Sequence, residues 1–249
     1  MSAYRFTVSP SISPNLLSGW SMFNTWMQRE LNQAIHFEQY DSFEKQRQAI
    51  IDDQVDIIYA NPFDAALLAR EKGFLPVATV NNQHDEAVVA VPKASGITTI
   101  VDLKPGVRVR STDAPHVKTM GMIILEAAEL SLDNVDYENR DTYVLVAKDL
   151  LRGDADVGIF LADTYAEFSP IITESLNPLV SGDIQLVRHA LMISPKLAAL
   201  QTPMRQMLTA EKRSPVAESA METLKFDRWR VFNQEAVEFM IDLISTLTD

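Results

Sequence analysis

The chain has 249 residues, 47% of them hydrophobic and 22% charged, a length that suits one large or two modest domains with a real core. Asp plus Glu outnumber Lys plus Arg by 34 to 22, a formal charge of −12, which argues against nucleic acid as a partner because phosphates call for a basic stripe. Cysteine is absent, which excludes disulfides, thiolate metal sites and Cys nucleophiles, and no run approaches the roughly 18 apolar residues of a membrane helix, so no membrane insertion is expected.

The opening "MSAYRFTVSP" lacks a basic region followed by an apolar one. The expected location is periplasmic if a signal peptide has been removed and cytoplasmic otherwise. "YRFTV" (4–8) alternates around β-formers and predicts a strand, "SPSISP" a turn-rich loop, and "NLLSGWSMFNTWMQREL" a helix from its apolar spacing. "AIHFEQY" (34–40) predicts a second strand. "SFEKQRQAIID" predicts a helix capped by Ser42, and "VDIIYA" a third strand. Asn61-Pro62 opens the next helix, "FDAALLAREKGF", and Gly73 stops it. "FLPVATV" and "EAVVAVP" read as two further strands, so the run predicts an α/β layer with parallel strands.

After the surface turn "PKASG" (92–96) the order restarts. "GVRVRS" (106–111) is a strand, "APHVKTMGMIILEAAEL" (114–130) a helix, "VDYEN" a strand and "DTYVLVAKDLLRG" (141–153) a helix stopped by Gly153. "ADVGIF" and "ADTYAEF" (162–168) follow as strand and helix, and "DIQLVRHALMIS" (183–194) reads as a central strand. The last third is helical, broken at Pro203 and Pro215, and closes with "NQEAVEFMIDLISTL" (233–247). Within this order "AIIDDQVDIIYA" (49–60) and "DLLRGDADVGIF" (149–160) align throughout, Asp56 on Asp156, each a helix end, a turn, an aspartate and a strand. Any α/β protein repeats helix, turn and strand, so the repeat is consistent with two similar lobes without establishing them.

"YRFTVSPSISPNLLSGW", "VDIIYANPFDAALLAREKG", "AVVAVPKASGITTIVDLKPGVRVRS", "LLRGDADVGIFLADTY" and "FDRWRVFNQEAVEFMIDLISTL" stand in an order and spacing that resemble the phosphate/phosphite/phosphonate-type solute-binding proteins of ABC transporters. The resemblance covers nearly the whole chain and is most specific at the run from Lys93 to Lys104 and at the two Asp-strand units. It implies the type II periplasmic-binding-protein fold, an α/β architecture of two lobes, each a mixed sheet flanked by helices, with the ligand between them. Lobe one is then residues 1–89 plus 187–249 and lobe two residues 90–186. It also implies a monomer that closes over a small polar molecule or oxyanion, without a cofactor, and delivers it to an ABC permease or a sensor protein.

Open α/β sheets bind ligands where strands end in helix N-termini, whose free N–H groups and positive dipole suit anions. In lobe one this singles out Ser9, Ser11 and Ser13 after the first strand, and Tyr59, Asn61 and Asp64 after the third. In lobe two it singles out Arg110, Ser111, Thr112 and His116 around one helix start, and Asp163 and Tyr165 after the second Asp-strand unit. Each of these has a plainer alternative as a helix cap or turn residue. Tyr59 is alternatively a core aromatic, and His116 a solvent-facing side chain.

The resemblance also implies a hydroxyl-rich junction in lobe two, where this chain has "APHV" (114–117), and a Ser near the position of Asp64. Pro115 has no N–H to donate, and carboxylates at Asp64 and Asp85 repel a dianion, so these departures point to a ligand other than a phosphonate. No G-x-S-x-G, H-E-x-x-H, P-loop or G-x-G-x-x-G occurs, and the four His lack ligand spacing, so neither a catalyst nor a metal site is expected. The alternatives are a ligand-sensing module and a cytosolic enzyme on the same fold, with Asp64, Asp163 and His116 as its acids and bases. "RGD" (152–154) reads as a helix-ending turn.

Overall fold

The computed structural model describes residues 3–82, 86–181 and 188–246. In chain order the first elements are β1 (Tyr4–Val8), α1 (Leu17–Leu31), β2 (Ile35–Phe37), α2 (Phe43–Ile51), β3 (Ile57–Ala60), α3 (Pro62–Lys72) and β4 (Leu75–Val80). Then come β5 (Ala87–Pro92), β6 (Arg108–Ser111), α4 (Pro115–Glu126), β7 (Asp136–Asn139), α5 (Tyr143–Arg152), β8 (Val157–Leu161), α6 (Ala162–Ala166), α7 (Pro170–Thr173) and β9 (Leu176–Ser181). The chain finishes with β10 (Ala190–Ile193), α8 (Gln201–Thr209), α9 (Pro215–Thr223), β11 (Trp229–Val231) and α10 (Gln234–Thr246).

Two compact units result, Met1–His84 with Arg188–Ser245, and Asp85–Val187 with Thr246–Asp249. The first holds a six-stranded sheet in the order β11-β4-β10-β3-β1-β2. Its β2, β1 and β3 run parallel, while β10 is antiparallel to both β3 and β4. The second holds a five-stranded sheet in the order β7-β6-β8-β5-β9, with β7, β6 and β8 parallel and β5 antiparallel to β8 and β9. The expected parallel layer is therefore a mixed sheet in each unit, as the fold class anticipated. The adjacent strands β4 and β5 do not pair; they belong to different sheets.

The duplicated segment has a structural counterpart. The Asp56 carboxylate accepts the Arg5 backbone N–H at 3.0 Å while the Asp56 N–H donates to the Arg5 carbonyl at 3.0 Å. Asp156 does the same with Arg108 at 2.9 Å in both directions. Each aspartate thus pins the entry of one parallel strand pair, β1/β3 or β6/β8, and fixes its register. The turn before each is left-handed, at Asp53 (φ 53°) and Gly153 (φ 78°).

One face of the first sheet packs on an aromatic core in which Phe6, Trp20, Phe23, Tyr59, Phe226 and Trp229 lie with ring centroids 4.8–5.9 Å apart. The other face buries Ile58, Leu68, Phe74, Met192 and Phe232. In the second unit α4 lies so close to β8 that a Cβ on Gly121 would collide with Ile159. Caps hold where the residues predicted them: Ser42 accepts from Lys45 N at 3.2 Å, Asn61 from Asp64 N at 3.0 Å, and Gly73 ends α3 with φ 64°. Pro203 does not break a helix; it lies in the first turn of α8, where its missing N–H removes no bond. β9, α7 and β11 went unpredicted, and of the strand expected over 183–194 only β10 is a strand: Arg188 and His189 precede it without strand structure, and residues 183–187 lie outside the described ones.

Candidate ligand-binding site

In the first unit a buried polar network occupies the carboxyl ends of β1 and β3. Ser9 continues the ladder by donating its N–H to the Tyr59 carbonyl at 2.9 Å, and its hydroxyl lies 2.9 Å from that of Ser11. Asn61 caps α3, sends its Nδ2 to Ser9 Oγ at 3.4 Å and to Asp64 Oδ2 at 2.5 Å, and is wholly buried. Asp64, 1% exposed, also accepts from Arg47 Nε at 2.8 Å. The structure thus brings Ser9, Ser11, Asn61 and Asp64 together. Ser13 lies on the same loop and accepts from Asn15 N at 3.4 Å. Tyr59 is elsewhere: its ring stacks on His189 at 5.3 Å within the aromatic core, because β3 is a central strand covered on both faces.

In the second unit Ser111, Thr112 and His116 gather where β6 runs into α4. Ser111 is fully buried and donates to the Ile159 carbonyl at 3.1 Å; Thr112 is 5% exposed. His116 is 3% exposed, so the solvent-facing expectation is corrected: it sits in the first, inward turn of α4. Ala114 precedes that helix without a side-chain cap bond, and Pro115 is its first residue. Two residues that no motif indicated join this end. Burial pushes the Tyr137 hydroxyl up to about 12, with the nearby Ser111 hydroxyl opposing the shift and the negative charge of Asp113 adding to it. The Lys118 ammonium lies 4.7 Å from the Tyr137 ring centroid, a cation–π contact that keeps a positive charge beside the helix start.

The remaining expected residues are placed differently. Arg110 is committed to the edge strand, donating to the Asp136 carbonyl at 2.7 Å and pairing with Asp136 and Glu138. Since Asp136 opens β7, that guanidinium runs toward the amino ends of the parallel strands, away from Ser111. Asp163 is exposed in the short α6. The Tyr165 ring packs on Phe160 and Phe168 at 5.4 and 5.8 Å, and burial raises its hydroxyl above the usual tyrosine range. Among the described residues no group of three or more His, Asp or Glu is arranged to hold a metal, and no helix is long and apolar enough to cross a membrane.

This pair of mixed sheets, each with a polar cluster where parallel strands meet helix starts, is matched over residues 6–237 by the family model of ABC transporter phosphonate periplasmic substrate-binding proteins. The chain belongs to that family. Among solved structures, PhnD1 of Prochlorococcus marinus MIT 9301 in complex with methylphosphonate superposes with a TM-score of 0.83 at 10% identity, covering 99% of this chain and 98% of that one. A binding-protein component of an ABC phosphonate transporter from Pseudomonas aeruginosa gives 0.78 at 14% identity over 98% and 86%. The periplasmic aliphatic sulphonate binding protein SsuA of Escherichia coli gives 0.67 at 15% identity over 99% and 87%. No curated protein matches the chain. At these identities the structures share the fold, the type II periplasmic-binding-protein architecture, and the family makes this chain a solute-binding protein.

Proposed function

We propose that this solute-binding protein captures a small oxyanion for an ABC permease without transforming it. In this reading the two compact units, Met1–His84 with Arg188–Ser245 and Asp85–Val187 with Thr246–Asp249, stand for the lobes expected from the sequence at 1–89 plus 187–249 and 90–186, and they close over one ligand. The single observation that carries the reading is the pair of buried polar networks at strand ends, around Ser9, Asn61 and Asp64 in one unit and around Ser111 and Thr112 in the other. Hydroxyls and helix N–H groups at such ends recognise anions.

The objection that Asp64 would repel an anion is met by its ion pair with Arg47, 2.8 Å away, which leaves that network without net charge. Asp85 lies outside the described residues. Ala114 and Pro115 remain, and they supply no hydroxyl and one N–H fewer than a hydroxyl-rich junction would. A neutral ion pair and a junction short of donors suit a singly charged head group, a sulfonate, better than a phosphonate dianion. A thermal-shift series with ethanesulfonate, methylphosphonate, phosphate and phosphite tests this. A ligand at about 100 times its dissociation constant stabilises by roughly 2.7 kcal/mol, or on the order of 5–10 °C for a chain of this size. The sulfonate is expected to give the largest shift; no shift with any oxyanion would overturn the reading.

A further inference from the structure

Arg47 stands on α2, one turn in from the Ser42 cap, with no motif to announce it. Its Nε donates to Asp64 Oδ1 at 2.8 Å, and its Nη2 lies 2.8 Å from the same oxygen without a well-aligned hydrogen bond. Two rings hold the guanidinium, Phe43 with its centroid 5.4 Å and Phe63 with its centroid 5.6 Å from Cζ. Nη1 makes no hydrogen bond among the described residues, and the side chain is 32% exposed while that of Asp64 is 2% exposed. The carboxylate is therefore spent inward, on Arg47 and Asn61, and Nη2 is buried against it, while Nη1 keeps its two donors unused.

Its place matters as much as its donors. α2 starts after β2, and α3 starts after β3, both parallel strands, so both helix starts lie at the carboxyl edge of the sheet with Ser9 and Asn61. A guanidinium 5.4 and 5.6 Å from two ring centroids and anchored by a buried carboxylate is preorganised, and the two N–H donors left on Nη1 can reach the oxygens of a carboxylate, sulfonate or phosphonate.

We propose that Arg47, aimed by Asp64, Phe43 and Phe63, is the cationic residue by which the first unit recognises the oxyanion head group of its ligand. The proposal rests on the oxyanion reading given above. The test is calorimetric titration of ethanesulfonate and methylphosphonate into the full chain and its R47K, R47Q and R47Q/D64N variants, with melting temperatures recorded. The double variant replaces the pair by a neutral Gln–Asn pair, so Asp64 is not left as a buried unpaired charge.

R47Q/D64N, melting as the parent does, is expected to bind at least tenfold more weakly. R47K, which keeps the charge and loses the guanidinium, is expected to fall between. Double-variant binding within twofold of the parent would overturn the assignment of Arg47 while leaving the oxyanion reading intact. A parent chain that binds neither anion would overturn both. An R47K variant as weak as the double variant counts against a role through charge and overturns the proposal as stated.

Discussion

At the residue scale, Asp53 and Gly153 occupy matching turns with opposite consequences for stability. Both are left-handed, at φ 53° and 78°, a region where a side chain costs about 1–2 kcal/mol and glycine nothing, with Asp among the better-tolerated exceptions. A Cβ on Gly153 would meet no atom within 4 Å, so the cost of Gly153→Ala is backbone alone, about 1 kcal/mol. Asp53→Gly is expected to gain about 0.5 kcal/mol, since the Lys72 contact at 3.4 Å that it loses is exposed and worth little. Urea unfolding should move the two midpoints in opposite directions; a shared direction would contradict the matching of the turns. The stop at Gly153 was legible because glycine is the usual residue there. The left-handed Asp53 and the Arg47–Asp64 pair were not: one looks like any polar turn residue, and the other joins positions 17 apart through tertiary packing.

At the scale of elements, the Asp clamps account for the duplicated segment. The Arg108 guanidinium lowers the Asp156 carboxyl below the usual aspartate range, chiefly by hydrogen bonding. A folded-state pKa below the unfolded one contributes stability above about pH 4, and that contribution is lost as pH falls through the folded value. The pair is more than a third exposed, so screening limits the effect to about 1 kcal/mol or less. Asp156→Asn can still accept the Arg108 N–H but does not titrate. Denaturation at a series of pH values should show the parent losing its advantage over this variant as pH falls below about 4. A constant difference across that range would mean that the charge contributes nothing. Helices with strong signals, Ser42 before α2 and Pro62 with Gly73 around α3, were readable from the residues themselves. β9 and β11 were not, because "LNPLVS" is interrupted by a proline, "WRV" is only three residues long, and both are edge strands whose pairing partners lie far away in sequence.

For the molecule as a whole, order carried more than composition. The succession β1-α1-β2-α2-β3-α3-β4 in one unit and β6-α4-β7-α5-β8-α6-α7-β9 in the other gives the same three parallel strands, followed in each sheet by an antiparallel one contributed from outside the run, β10 or β5. That exchange of β5 and β10 could not be read from local periodicity, which sees a strand but not the sheet it joins. The candidate site was half legible: strand ends located Ser9, Asn61 and Ser111, whereas Tyr137, Lys118 and Arg47 enter only through packing. The central claim, that these strand ends serve capture without chemistry, meets its most direct test in a titration of ethanesulfonate followed both by heat and by recovery of the ligand. Saturation at one equivalent per chain, with the sulfonate recovered unchanged, is the predicted result. Failure to saturate near one equivalent, or conversion of the ligand beyond one turnover, would contradict it.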